Sequence, residues 1–160
     1  MERLTAFFLT IYLFFAGLAY GNEPIKVDIL ESPFDNGPVV VQVAHHPGGV
    51  FTENGETVTY FGVSVNWIFQ CKNTGRPIRG ESNYNITLSL QSANPDTPPL
   101  RVYMISPDMV EHDVLIRHDQ TFRTYAFFMI PDDAPAGVWN VVVSVFGSPE
   151  TMYENALVIL

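Results

Sequence analysis

The residues of this chain best suited to chemistry are four histidines, which fall in two pairs. His45 and His46 lie in "VVVQVAHHPGGVF", and His112 and His118 lie in "VEHDVLIRHDQ". Imidazole nitrogen suits zinc and copper, and copper also accepts the thioethers that Met104 and Met109 would supply from nearby positions. Adjacent residues of a strand point to opposite faces, so His45 and His46 can share an ion only if extended structure stops at Ala44 and "HHPGG" is loop. His112 and His118, six residues apart, are separated by roughly 20 Å along a continuous strand and need a hairpin between them to meet. The plainer reading makes "HHPGG" a strand end and its turn, with four rim histidines and no common ligand.

Carboxylates are plentiful. Asp132 and Asp133 occupy a turn, where aspartate bonds nearby backbone amides. Asp108, Glu111, Asp113 and Asp119 offer the oxygen ligands calcium prefers, but at a spacing that matches no calcium loop, and a solvated acidic edge accounts for them. There is no "GxSxG" elbow and no glycine-rich phosphate loop. The single thiol, Cys71, falls on the apolar face at a strand end and reads as a small buried hydrophobe. The expectation is a protein that is not an enzyme and carries no cofactor.

Recognition has better candidates. "CKNTGRPIRGE" holds Lys72, Arg76 and Arg79, a local positive spot on a chain of net charge −9. That overall charge disfavours nucleic acid and anionic membranes, both of which need clustered Lys and Arg. "TFRTYAFFMIP" is apolar on both faces, so Tyr125 and Phe127 are either covered or form a binding patch. Tyr60, Tyr84 and Tyr103 would be the rings of a carbohydrate-binding face, and Asn85 heads a glycosylation sequon, "NIT".

Positioning these residues falls to short strands. From Phe61 the odd residues Phe61, Val63, Val65, Trp67, Phe69 and Cys71 are apolar while Ser64, Asn66 and Gln70 intervene, the period of two that gives a strand one dry face. "NITLSLQS" and "VWNVVVSVF" alternate likewise. Further strands are expected at Ile25 to Leu30, Pro38 to His45, Leu100 to Ile105, Val114 to His118, Phe122 to Ile130 and Ala156 to Leu160. Turn formers such as "SPFDNGP", "HHPGG", "ENGE" and "PDDAPAG" separate them. With no helix-period segment and no internal repeat, the pattern predicts an all-β, antiparallel sandwich of about 7–9 strands.

The first twenty-one residues, "MERLTAFFLTIYLFFAGLAYG", have one early arginine, an apolar centre and a small-x-small ending. They read as a secretory signal, with a retained anchor as the alternative. Residues 22–160 then form one domain, secreted or periplasmic, with no membrane span after removal of the signal. With one cysteine it can make no internal disulfide, and its fold depends on packing alone.

The stretch "FFMIPDDAPAGVWNVVVSVFG" resembles hairpins of immunoglobulin-like domains in exported proteins. The resemblance covers about twenty residues and implies an immunoglobulin-like architecture without a particular activity. The antibody-type cysteine pair is absent, although Trp67 could fill the corresponding core position. The function expected is non-catalytic recognition of a protein or glycan through loops or a strand edge. The alternatives are a copper or zinc protein and a carbohydrate-binding module.

Overall fold

The computed structural model describes residues 23–81, 86–100, 102–104 and 113–160, with the backbone alone for 51–53, 80–81, 103–104 and 113–114. The expected signal segment, Tyr84, Asn85, Met109 and His112 lie outside the described residues. Eleven strands run in order among them: β1 (Val27–Glu31), β2 (Val39–Val41), β3 (Pro47–Glu53), β4 (Glu56–Asn73), β5 (Ile78–Glu81), β6 (Ile86–Ser92), β7 (Tyr103–Met104), β8 (Asp113–Ile116), β9 (Thr121–Pro131), β10 (Gly137–Val145) and β11 (Thr151–Ile159).

One sheet has the order β1-β4-β9-β7, with β3 also paired to β4; a second has the order β2-β11-β10-β6; β5 and β8 form a separate ribbon. The fold is all-β, and the two main sheets contribute to a single core, which is compatible with a sandwich. The first sheet supplies Trp67, Phe69, Phe128 and Ile130, and the second supplies Leu90, Trp139, Val141, Val143 and Leu157. Phe34, from the β1–β2 connection, plugs this interior with its ring 4.8 Å from Trp67, edge-on, and 4.9 Å from Tyr153. Each such side chain contributes about 1.5–3 kcal/mol when fully buried, so the core can hold without a covalent link.

The long strand β4 follows the period of two: Trp67, Phe69 and Cys71 are buried while Ser64, Asn66 and Ile68 face outward. Phe61 breaks the expectation, being 38% exposed. At Gly62 the strand leaves its last β9 partner, Pro131, and continues against β3 instead. Phe61 lies outside the core cluster of described residues, and its ring stacks on His45 at 4.5 Å.

Other expectations need correction. The strand expected over Pro38 to His45 ends at Val41, and β2 runs parallel to β11 rather than antiparallel. "PGG" opens strand β3 instead of closing a turn. Gly48 serves close approach: a Cβ on it would lie 2.5 Å from the Met129 sulfur and 2.9 Å from the Gly62 carbonyl oxygen. The basic "CKNTGRPIRGE" segment also contains a strand, β5, paired with β8. Together β3 and the β5–β8 ribbon carry the strand number above the expected 7–9.

Candidate functional site: a basic end organised by Asn73

At the end of β4 a polar residue is buried where the alternation calls for an apolar one. Asn73 is fully buried, and its side-chain amide donates to the carbonyls of Arg76 (3.0 Å), Ile116 (3.2 Å) and Arg117 (3.2 Å). Its side-chain oxygen accepts the Gly75 N–H at 3.1 Å. Its backbone N–H donates to the Gln120 carbonyl at 3.0 Å, and its backbone carbonyl accepts the Asp119 N–H at 2.8 Å. A buried polar group costs stability unless it is paired, and here the pairing joins two loops distant in sequence, 73–77 and 117–120.

The consequence is electrostatic. Lys26 is drawn in because its carbonyl accepts the N–H groups of Thr74 and Gly75. Arg76 and Arg117 lie on the two loops that Asn73 ties, and Arg79 follows on β5 opposite Leu115. Lys72 is the residue before Asn73, and Arg123 on β9 is paired with Gln70. Six of the seven lysines and arginines beyond residue 22 therefore surround one end of the molecule; the seventh, Arg101, lies outside the described residues.

The acids at this end leave part of that charge free. Asp119 accepts from Lys72 at 2.9 Å, and its carboxyl is held below the ordinary 3.8 by that hydrogen bond first, then by the charges of Lys72 and His118. Asp28 is paired with Lys72 and Glu31 with Gln70 across β1–β4, and Glu23 precedes the Pro24 whose carbonyl accepts the Arg76 N–H. Glu150 lies on the β10–β11 loop, and Glu81 pairs with Asp113 at the far end of the ribbon. The exposed Arg76, Arg79, Arg117 and Arg123 have no ion-pair partner among the described residues. They present donors that match carboxylate, sulfate and phosphate oxygens.

An apolar strip adjoins the charge. On the outer face of the first sheet Ile68, 49% exposed, is paired with half-buried Tyr125, two positions along β9 from Arg123. Leu30 is 49% exposed on β1, and half-buried Phe127 extends the strip. Of the residues singled out from sequence, Lys72, Arg76, Arg79 and Tyr125 are thus brought toward one end of the first sheet, while Phe127, opposite Asn66, lies at mid-sheet. Lys26, Arg117 and Arg123 were not singled out; they are isolated in sequence, and only the Asn73 loops and the β4–β9 register gather them.

The histidines are divided between the two ends. His45 bonds through Nδ1 to the Asp132 carboxylate and stacks on Phe61, at the β3 end of β4. His118 lies at the Asn73 end, its Nδ1 2.9 Å from the Gly75 carbonyl, which can only accept, so that nitrogen carries the hydrogen. The intervening length of β4, from Phe61 to Asn73, spans roughly 40 Å. His46 is exposed, and its carbonyl accepts the Gly62 N–H. Among the described residues no three His, Cys, Asp or Glu side chains are placed to hold a metal ion. Of the tyrosines considered for carbohydrate, Tyr60 is half-buried, Tyr103 is described by its backbone only, and Tyr84 is outside the described residues.

Cys71 is fully buried, and burial pushes its thiol up to about 12. A cleft of about 300 Å³ at the β9–β10 end is lined by Asn94, Thr97, Pro135 and Trp139 among others, with no titratable side chain in its lining. Among the described residues no helix is long and apolar enough to cross a membrane. Comparison with protein-family models, with curated proteins and with solved structures finds no match.

Proposed function

We propose that this chain is an exported, non-catalytic recognition domain of immunoglobulin-like architecture that docks an anionic group of a protein or glycan on its basic end. The strand order supports the architecture. With β1, β4, β6, β7, β9, β10 and β11 taken as A, B, C, D, E, F and G, the sheets read A-B-E-D and G-F-C, the two sets of an immunoglobulin sandwich. The short β2 adds an A′ strand beside G. In this scheme β3 and the β5–β8 ribbon are insertions, after A′ and on either side of C and D.

The observation that carries the function is the gathering of six basic residues at one end of an acidic chain. That end holds the B–C and D–E connections, and the F–G loop joins it, since Phe122 at the start of β9 lies 5.9 Å from Phe146. Such loops bind because the scaffold fixes their ends and leaves their side chains free. Asn73 supplies this fixing here. The arginines give charge recognition, and the Ile68–Tyr125 strip gives apolar area beside it. Export is supported by the apolar segment that follows Arg3.

The test is calorimetric titration of the purified protein with a deca-glutamate peptide and with a sulfated oligosaccharide. Binding of either should be strongest at low salt and be lost in R76E/R79E/R117E. Binding that survives the triple reversal, or no binding of either probe, contradicts the proposal.

A further inference from the structure

We propose that the anionic partner is the acidic end of a second copy of this chain, so that copies join head to tail. This rests on the reading of the basic end as a docking surface. The opposite end of the molecule is its complement. Strand β9 ends at the Pro131–Gly62 pair, so residues 56–61 of β4 continue as a two-stranded arm with β3, whose base takes one further bond from the Asp132 N–H to the Phe61 carbonyl (3.1 Å). The arm turns at Asn54 and Gly55, both with positive φ (51° and 83°), the geometry a two-residue hairpin turn requires. Its last pair is Glu53 with Glu56. Asp132 and Asp133 lie beside its base, and Asp96 lies on the connection lining the neighbouring cleft together with Pro135. None of the described lysines or arginines is at this end.

The arm is built to stay ordered. An isolated two-stranded ribbon is marginal in water, but here the base is clamped by the Gly62 N–H to the His46 carbonyl (2.9 Å) and the Ser64 hydroxyl to the Gly48 carbonyl (2.8 Å). The His45–Asp132 contact and the Phe61 ring on His45 add to the clamp. Val50 is nevertheless 64% exposed on the arm. At the basic end the β5–β8 ribbon sets exposed Leu115 (43%) directly opposite Arg79. Each end thus offers an apolar side chain beside charge, and the charges are of opposite sign.

The tip and the basic end cannot meet within one molecule. They sit at the two ends of the 18-residue β4, on the order of 55 Å apart. A tip docked on a neighbour's basic end leaves one free tip and one free basic end, so the contact repeats in an open series instead of closing as a symmetric dimer. The net charge of −9 opposes association at long range. At about 0.15 M salt the screening length is ~8 Å, which mutes that repulsion while leaving close pairs at the contact.

Sedimentation velocity on the purified protein tests this, at about 0.15 M salt and over a range of concentrations. The expected result is an average mass that rises with concentration without stopping at a dimer, and falls back at ~1 M salt, where screening reaches ~3 Å. Reversal of either end, by E53K/E56K or by R76E/R79E/R117E, should weaken association by about tenfold or more. An equimolar mixture of the two variants should restore it, because each then carries the charge the other lacks; an unfolded variant could not. A wild-type protein that stays monomeric at every concentration overturns the proposal, as does association that either reversal leaves unchanged. A monomeric protein that still binds deca-glutamate removes this partner and leaves the basic docking surface standing, whereas loss of both removes both.

Discussion

The side-chain amide of Asn73 donates to the backbone carbonyl of Ile116, 3.2 Å away and 43 residues further along the chain. The same amide reaches Arg76 and Arg117, so one buried side chain sets the spacing of two arginine-bearing loops. The charge at this end is therefore held in place by a neutral residue that a binding partner need not touch.

Replacing that residue should be costly. Asn73→Ala removes the four side-chain hydrogen bonds that tie the two loops. The Gly75 N–H and the Arg117 carbonyl keep their bonds to the Lys26 carbonyl and the Gln120 N–H, and each remaining group left unsatisfied costs about 1–3 kcal/mol before relaxation. A loss of roughly 2–4 kcal/mol is expected from urea unfolding, with the slope unchanged. Asn73→Asp should be no better, since a carboxylate would face three carbonyl oxygens. A loss below about 0.5 kcal/mol, the size of an ordinary surface substitution, would show that the loops hold without it.

Gly62 is a second position with little tolerance. Its φ is +153°, and a Cβ there would lie 2.1 Å from the Ile130 carbonyl oxygen. Gly62→Ala should destabilise by roughly 2 kcal/mol or more, because backbone must move as well as adopt a strained conformation. The thermal midpoint of the variant checks this.

Cys71 gives the pH dependence. Burial raises its thiol from the ordinary 9.0 to about 12, so the folded state favours the neutral form. Its contribution to stability is complete below pH 9 and is lost as pH rises toward 12. Wild type should lose stability between pH 9 and 12 faster than Cys71→Val, and iodoacetamide should label Cys71 only as the protein unfolds. Rapid labelling under native conditions would contradict its burial.

The last strand is central rather than peripheral. β11 pairs with β10 on one side and β2 on the other, and its Leu157 and Ile159 are almost wholly buried. Deleting Ala156 to Leu160 should abolish cooperative unfolding. A soluble truncated protein with the wild-type thermal midpoint would show otherwise.

Much of the interior is readable from alternation alone. Trp67 and Val143 are core residues, with Val63 and Leu88 packed against the core, because alternate positions of their strands face inward. The reading fails where two glycines let chains approach more closely than side chains allow, as at Gly48 and Gly62, and a strand forms in place of a turn. It fails again at Asn73, whose polarity suggests a surface position although its partners lie inside. Only three of the six clustered basic residues share a sequence segment. Lys26, Arg117 and Arg123 join them through main-chain bonds and register, for which single-residue chemistry gives no signal.

The central claim is that recognition takes place at the end that Asn73 organises. Backbone amide chemical shifts of the labelled protein, recorded as deca-glutamate is added, test it most directly. The predicted shifts concentrate at residues 24–28, 72–79, 115–123 and the adjoining Tyr125, and are absent from R76E/R79E/R117E. Shifts confined to the β3–β4 arm or to the cleft beside Trp139, or no shifts at all, would contradict it.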